Sequence, residues 1–146
     1  MGGSIPYELQ NLTILEVLAL QRGNIKGSIP STLGNLKNLK ELDLNFNNIT
    51  GTIPENLYNA KTLEQIDLND NQLGGTVSPK IGDLKNLFYL QLGNDAPWGK
   101  NSFGGSVPPG FSGLNDLRKY LYEQIPYCFV ALTKLVSFHL SAHLKK

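Results

Sequence analysis

Asp43 and Asp67 come closest to a catalytic pair in this sequence, and each stands inside a short run of alternating apolar residues. If the two runs are neighbouring parallel strands, we expect the carboxylates about 4.8 Å apart. Retaining glycosidases use two carboxyl groups at a similar separation, about 5–5.5 Å. An open sheet, however, has no pocket to exclude water or distort a sugar, so we predict no catalytic residues and no enzyme. A cation between the carboxylates is the alternative, but we predict neither a metal site nor a cofactor.

Other residues that could carry chemistry lack a productive arrangement. His139 and His143 have the i, i+4 spacing of metal ligands on a helix, but we expect them on and just after a strand, where that spacing does not converge. Cys128 is a single cysteine, so it forms no disulfide within the chain. The sequence also has no phosphate loop, nucleophile elbow or zinc-ligand spacing. These observations favour a binding or structural protein.

The composition permits one folded domain and indicates no particular partner. The chain has 146 residues, 40% of them hydrophobic, and a formal net charge of +1, which does not favour nucleic acid or acidic membranes. We find no signal peptide after Met1 and no apolar run of about 18 residues, the length that a membrane span needs. The chain is expected to be soluble, or to be an internal piece of a longer secreted or membrane protein.

The elements that position these side chains are sequence repeats with a period of about 24 residues. Three regular units carry apolar residues at the same seven places. In the second unit these are Leu36, Leu39, Leu42, Leu44, Ile49, Ile53 and Leu57. The last part of the run Leu39 to Leu44 alternates as a short strand with one buried face does, and one unit cannot bury its leucines alone. Neighbouring units must therefore stack around a shared core.

An asparagine follows the strand in three of the units, at Asn47, Asn71 and Asn101. Its side-chain amide can donate to and accept from the backbone groups that the turn leaves unpaired. We interpret this asparagine ladder as structural rather than functional.

The repeat resembles the plant-type leucine-rich repeat, LxxLxxLxLxxNxLxGxIPxxLGx, whose Gly-x-Ile-Pro element occurs here at 3–6, 27–30 and 51–54. The resemblance implies an α/β solenoid: a right-handed leucine-rich-repeat superhelix with a parallel concave β-sheet and an irregular or 3₁₀ convex side. Members of this family are mostly ectodomains of plant receptor kinases and receptor-like proteins. Their ends are usually closed by cysteine-paired caps, so we expect this chain to be a fragment without caps.

The repeat divides the array 1–146 into regular, altered and partial units. We predict a partial unit at 1–11, regular units at 12–35, 36–59 and 60–83, a unit with an insertion at 84–113, a shortened unit at 114–131 and a partial unit at 132–146. The insertion is approximately Asp95 to Lys100, and the shortening lies near Gln124 and Ile125. Insertions in repeat proteins form loops on one face, often the face that binds.

Side chains between the buried leucines of each strand are expected to project from the concave face. Acidic and aromatic residues collect in its middle, and a tryptophan, a residue type common in binding hot spots, lies on the insertion. The predicted ligand-binding residues are Glu41, Asp43, Phe46, Asp67, Asp70, Tyr89, Gln91 and Trp98. Solvated polar decoration is the alternative for the face, and a tolerated surface loop is the alternative for the insertion.

We interpret the chain as a non-catalytic module that recognises a protein or peptide, with a basic ligand matching the acidic face and a co-receptor as a further partner. The resemblance implies a plant cell-surface receptor, hence an extracellular or cell-surface parent protein. In that case Asn11 and Asn48, which begin Asn-x-Thr sequences, are N-glycosylation sites. Two alternatives stay open: a secreted inhibitor similar to polygalacturonase inhibitors, and an ice-binding or structural repeat, suggested by Asn45, Asn69 and Asn94, which we expect to face solvent.

Overall fold

The computed structural model describes residues 2–95, 98–105 and 108–114, together with the backbone of 119–121. Cys128, His139, His143, most of the predicted unit 114–131 and the predicted unit 132–146 lie outside the described residues. Within the described ranges the chain repeats one order of elements, in which an inner strand, an outer strand and a 3₁₀ helix follow one another.

Nine strands and five 3₁₀ helices occur in these ranges. The strands are β1 (Val17–Ala19), β2 (Lys26–Ser28), β3 (Glu41–Asp43), β4 (Asn48–Gly51), β5 (Gln65–Asp67), β6 (Gln72–Thr76), β7 (Tyr89–Gln91), β8 (Ser102–Gly104) and β9 (Lys119–Leu121). The 3₁₀ helices are η1 (Tyr7–Asn11), η2 (Ser31–Asn35), η3 (Glu55–Asn59), η4 (Pro79–Asp83) and η5 (Pro109–Gly113). No helix in the described part is long and apolar enough to cross a membrane.

The concave sheet consists of parallel strands in the order β1-β3-β5-β7-β9. In its first four strands the central residue is buried: Leu18, Leu42, Ile66 and Leu90. Since successive side chains of a strand point to opposite sides, the residues on either side of each central one belong to the opposite face. Strands β3 and β5 pair with Leu42 opposite Ile66, which is the offset of one full repeat that the sequence predicts.

A second parallel sheet, in the order β2-β4-β6-β8, lies where the sequence predicts only a turn into irregular or 3₁₀ structure. That prediction is incomplete, because a short strand precedes each 3₁₀ helix from η2 to η5. The strand is hard to recognise because all three residues of β2 are exposed and so show no alternation. The turns of this sheet contain glycines in the left-handed region, with φ of 85° at Gly51 and 79° at Gly75. Glycine adopts this backbone conformation readily because it has no Cβ.

The apolar positions of the repeat form one continuous core. Leu42, Leu44, Ile49 and Leu57 are completely buried, with 0% exposure. Burying a side chain of this size contributes roughly 1.5–3 kcal/mol. Each coil shares this core with its neighbours, so the fold is stabilised between units rather than within one.

The asparagine ladder connects successive coils from the inside. Asn71 Oδ1 accepts a hydrogen bond from Ile49 N at 3.0 Å. Its amide nitrogen donates to Leu44 O at 2.9 Å and to two carbonyls of its own unit. Asn47 and Asn101 bond the backbone of the preceding unit in the same way. The ladder therefore satisfies buried backbone groups that no strand pairs.

Candidate ligand-binding face

The open side of the concave sheet brings four of the predicted binding residues together. Glu41, Asp43, Asp67 and Tyr89 are half-buried on three successive strands, β3, β5 and β7. The register places Asp43 directly opposite Asp67, and Gln65 between Glu41 and Tyr89. These side chains form an acidic patch, which we define as Glu41, Asp43, Asp67 and Tyr89.

Within the acidic patch, Asp67 is held by the protein itself. Its Oδ1 accepts from Asn69 N at 3.1 Å, and its Oδ2 accepts from the Asn45 amide at 3.2 Å and from the Tyr89 hydroxyl at 3.3 Å. Burial raises the pKa of Asp67, and the Asp43 carboxylate adds to the rise, while the hydrogen bonds oppose it. A carboxylate has about four acceptor sites. Asp67 thus has little capacity left for a ligand and mainly shapes the face.

Tyr89 shares this buried environment. Burial raises the pKa of the Tyr89 phenol, and the neighbouring Asp67 carboxylate raises it further. The phenol therefore stays protonated near neutral pH and can act only as the donor in its hydrogen bond to Asp67.

Asp43 and Glu41 are the acids that remain available to a ligand. Within the described ranges, Asp43 Oδ1 accepts one hydrogen bond, from Asn45 N at 3.1 Å. Among the residues that the structure describes, no partner bonds the Glu41 carboxylate. Both side chains point to the same side of β3, because one residue lies between them. Val17, which lies opposite Glu41 on β1, is 50% exposed, so the two acids border an apolar surface.

Phe46 lies at the end of the acidic patch, and Arg22 covers one of its faces. The Arg22 guanidinium carbon is 4.5 Å from the centroid of the Phe46 ring, a cation–π contact. Both residues have left-handed backbones, with φ of 57° and 53°. The contact leaves less of Phe46 for a ligand and places a positive charge beside the acids. The predicted binding residues do not include Arg22, since a stacking contact between adjacent coils leaves no signal within either unit.

The insertion folds back onto the concave face. The Asn94 side chain joins the two ends of the insertion by bonding the backbone of Asn101. Asn94 Oδ1 accepts from Asn101 N at 2.9 Å, and the Asn94 amide donates to Asn101 O at 3.0 Å. The Asn69 amide donates to Asp95 Oδ2 at 2.9 Å, and Lys100 N donates to Asn71 O at 2.8 Å. These bonds fix the described part of the loop against the units before it.

The fold of the insertion corrects three expectations. Asp70 and Gln91, predicted to bind a ligand, are buried, with exposures of 2% and 4%. Asn69, expected to face solvent, is 2% exposed. The inserted loop lies over this part of the face, and Gly99 packs so close to Asp70 that an added Cβ would clash with the Asp70 carboxylate. The open face therefore ends at the loop, and these three residues are not available at the surface.

Trp98 and the two predicted glycosylation sites are accessible. Trp98 is 67% exposed on the insertion. Asn11 ends η1 and Asn48 begins β4, and both are exposed. The side chains of these three residues are therefore available at the surface.

The described ranges hold no group of three or more histidine, cysteine, aspartate or glutamate side chains that could bind a metal ion. In this part of the chain the Asp43–Asp67 pair has no third ligand of this kind, and three hydrogen bonds already engage Asp67.

A family model described as leucine rich repeat matches residues 13–73. Among solved structures, the chain is similar to the ectodomain of the plant membrane receptor kinase GASSHO1/SCHENGEN3 from Arabidopsis thaliana, in complex with CASPARIAN STRIP INTEGRITY FACTOR 2. Identity is 34%, the match covers 82% of this chain and 14% of that chain, and the TM-score is 0.72. No curated protein sequence is significantly similar to the chain.

Two further structures give matches of the same quality. The ectodomain of the Arabidopsis receptor kinase HAESA, in complex with an N-terminal extended IDA peptide hormone ligand, is 32% identical over 82% of this chain and 19% of that chain, with a TM-score of 0.68. A plant ice-binding protein is 28% identical over 82% of this chain and 37% of that chain, with a TM-score of 0.71. The chain thus spans between 14% and 37% of the length of these three proteins.

Proposed function

We propose that this chain, which is built of leucine-rich repeats like those of plant receptor kinase ectodomains, is a non-catalytic recognition module of a plant cell-surface receptor, either a receptor-like kinase or a receptor-like protein. The observation that carries the proposal is the match to two receptor kinase ectodomains that were each solved with a bound partner. The module acts outside the cell, binds a protein or peptide ligand and works with a co-receptor.

The ligand contact is centred on Glu41 and Asp43. Their carboxylates have unused acceptor sites, and Val17 offers exposed apolar surface beside them. Asp67 and Tyr89, which are hydrogen-bonded to each other, lie beside this contact on the next two strands. Phe46, with Arg22 stacked on its ring, lies at the end of the acidic patch. A ligand that presents lysine or arginine complements this surface, and its association rate should fall as salt rises.

Ice binding is the second candidate, favoured by the similarity to a plant ice-binding protein. The asparagine column that suggested it is not a regular exposed array, because Asn69 is buried while Asn45 and Asn94 are half-buried. The acidic patch favours a basic ligand over an ice surface.

The proposal is tested by comparing Asp43→Lys with a charge-matched control, Glu8→Lys. Glu8 is exposed on η1, on the 3₁₀-helical side of the coil. The probe is an array of synthetic lysine- and arginine-rich peptides, each with a counterpart in which aspartate and glutamate replace the basic residues. We expect the wild-type chain to bind basic peptides. Asp43→Lys should weaken this binding about tenfold or more, and Glu8→Lys should bind as the wild type does. Equal binding by both variants would place the contact elsewhere, with the loop carrying Trp98 as the next surface.

A further inference from the structure

One position of the repeat holds glycine in two units and tyrosine in the unit between them. Gly34, Tyr58 and Gly82 are equivalent residues of successive repeats and lie in η2, η3 and η4. A Cβ added to Gly34 would overlap the carbonyl oxygen of Asn56 in η3, and one added to Gly82 would overlap that of Gly110 in η5. The glycines therefore let the backbones of successive 3₁₀ helices touch.

Tyr58 places a large side chain at the equivalent position between η3 and η4. Its side chain is large and 1% exposed, so the ring is packed inside the protein on the side where the other units bring their helices together. Consistently, η3 and η4 contact each other much less than η2 and η3 do, or η4 and η5. At the η2–η3 and η4–η5 junctions the backbones touch directly, whereas the equivalent position between η3 and η4 carries the tyrosine ring.

The phenol of Tyr58 adds no hydrogen bond to this packing. Within the described ranges, the hydroxyl has no partner at normal hydrogen-bond geometry. Burial raises the pKa of Tyr58 to about 12, although the nearby Ser78 backbone amide acts to lower this pKa. The side chain is therefore neutral at ordinary pH. A buried hydroxyl without a partner is a cost. Tyr58 therefore acts at this junction through the volume of its ring rather than through its hydroxyl.

The strands at the same junction keep their normal pairing. Leu42 of β3 lies opposite Ile66 of β5, and Leu44 N donates to Asp67 O at 2.9 Å. Curvature of a solenoid follows from the small rotation between successive repeats. A wider separation on the helix side with a fixed spacing on the strand side increases the bend at this junction. Asp43 and Asp67, which face each other across β3 and β5, lie on its inner side.

The unit that follows Tyr58 also departs from the repeat at this junction. Ser78 takes the place that proline has before η1, η2, η3 and η5, and its Oγ accepts from Lys80 N. Lys80 Nζ reaches back across the junction to Glu55 at 3.1 Å. A departure from the repeat pattern in the third unit therefore accompanies the tyrosine in the second.

We propose that Tyr58 is a wedge that sets the bend of the solenoid between units 36–59 and 60–83, and thereby the angle between the two strands that present Asp43 and Asp67. The second part rests on the proposed function of the acidic patch, whereas the wedge does not. Tyr58 is a positioning residue, since its side chain packs on the 3₁₀-helical side and the acids lie on the concave sheet.

The test measures distances on the helix side by electron–electron double resonance in the chain with Cys128→Ser. Nitroxide labels at Asn11→Cys and Ser112→Cys, both exposed, span the junction. In Tyr58→Gly, η3 can approach η4, so this distance should shorten by several ångströms, since the separation of packed helices depends on the side chains at the contact. Tyr58→Phe keeps the ring and should leave the distance unchanged. Labels at Asn11→Cys and Asn56→Cys lie before the junction and should not move in any variant.

The proposal is overturned if Tyr58→Gly keeps native circular dichroism and the spanning distance does not change. It is also overturned if Tyr58→Phe shortens the distance as much as Tyr58→Gly does, because the hydroxyl would then be responsible. Should Tyr58→Gly fail to fold, Tyr58→Leu decides, with a smaller shortening expected and no change counting against the wedge. These distances need no ligand, so their outcome is independent of the peptide test of the proposed function.

Discussion

The Tyr89 hydroxyl donates a hydrogen bond of 3.3 Å to Asp67 Oδ2, joining β7 to β5 across one repeat. This bond stabilises the charged form of Asp67 and so opposes the rise in pKa that burial causes. Tyr89→Phe removes it and should raise the pKa of Asp67 further. The measurement is a carboxyl carbon NMR titration, with Tyr7→Phe on the exposed η1 as the control. An unchanged or lower pKa in Tyr89→Phe would show that this bond does not act on the carboxylate.

The raised pKa of Asp67 also predicts how stability depends on pH. The folded chain binds this proton more tightly than the unfolded chain does, so Asp67 favours folding at low pH. Its contribution is lost as the pH rises from 3.8, the ordinary value of the carboxyl, through the higher pKa of the folded state. Asp67→Asn stays neutral, so its stability relative to wild type should increase over this interval. Urea unfolding across the acid range measures the difference, and a relative stability that decreases with pH would contradict the assignment.

Gly99 should be essential for the packing of the inserted loop against Asp70. A methyl group there would clash with the Asp70 carboxylate and lie 2.6 Å from Asn94 Oδ1. Gly99→Ala should therefore destabilise the chain by about 1–3 kcal/mol, as overpacking does, and alter the fluorescence of Trp98. Gly104→Ala is the matched control, because a Cβ at Gly104 meets no atom within 4 Å. If the two variants unfold at the same urea concentration, the loop does not pack as described.

The asparagine ladder should be sensitive to truncation at Asn71. Asn71→Ala leaves the buried Ile49 N without its side-chain acceptor, which should cost about 1–3 kcal/mol, whereas Leu44 O keeps the Asn47 amide as a donor. Asn48→Ala changes an exposed asparagine in the adjacent strand β4 and should have little effect. Chemical denaturation measures both. Equal losses would mean that the ladder does not carry the stability assigned to it.

Asn48 should accept a glycan if the parent protein passes through the secretory pathway. Its side chain is exposed at the start of β4, so a glycan can leave the surface without displacing core residues. Expression in a plant or insect secretory system followed by glycosidase treatment should lower the mass, and Asn48→Gln should reduce that change. Asn38→Gln, which alters an exposed asparagine outside any acceptor sequence, is the control. A secreted chain whose mass the enzyme leaves unchanged would exclude Asn48 as a used site.

The strand register and the core could be predicted from the sequence because they repeat. Leu42 and Ile66 are equivalent residues of successive units, and equivalent residues of stacked parallel strands lie side by side. The same reasoning places Asp43 beside Asp67 and assigns Asn71 to the turn after a strand. The second sheet was missed because β2 has no buried residue and hence no alternating pattern.

The sequence by itself determined the repeating coil, its buried leucines and the acidic character of the open face, because residues at equal repeat spacing experience equal surroundings. Only the tertiary structure decided which of these side chains a ligand can reach. Asp70 and Gln91 are buried, and Phe46 is covered by Arg22, through contacts between residues of different units. The contacts around Asp70 and Gln91 lie beside the insertion, and a pattern derived from equivalent positions contains no information about the path of an insertion. The Arg22–Phe46 contact joins two regular units, but a pattern within one unit does not predict which side chains of neighbouring units stack.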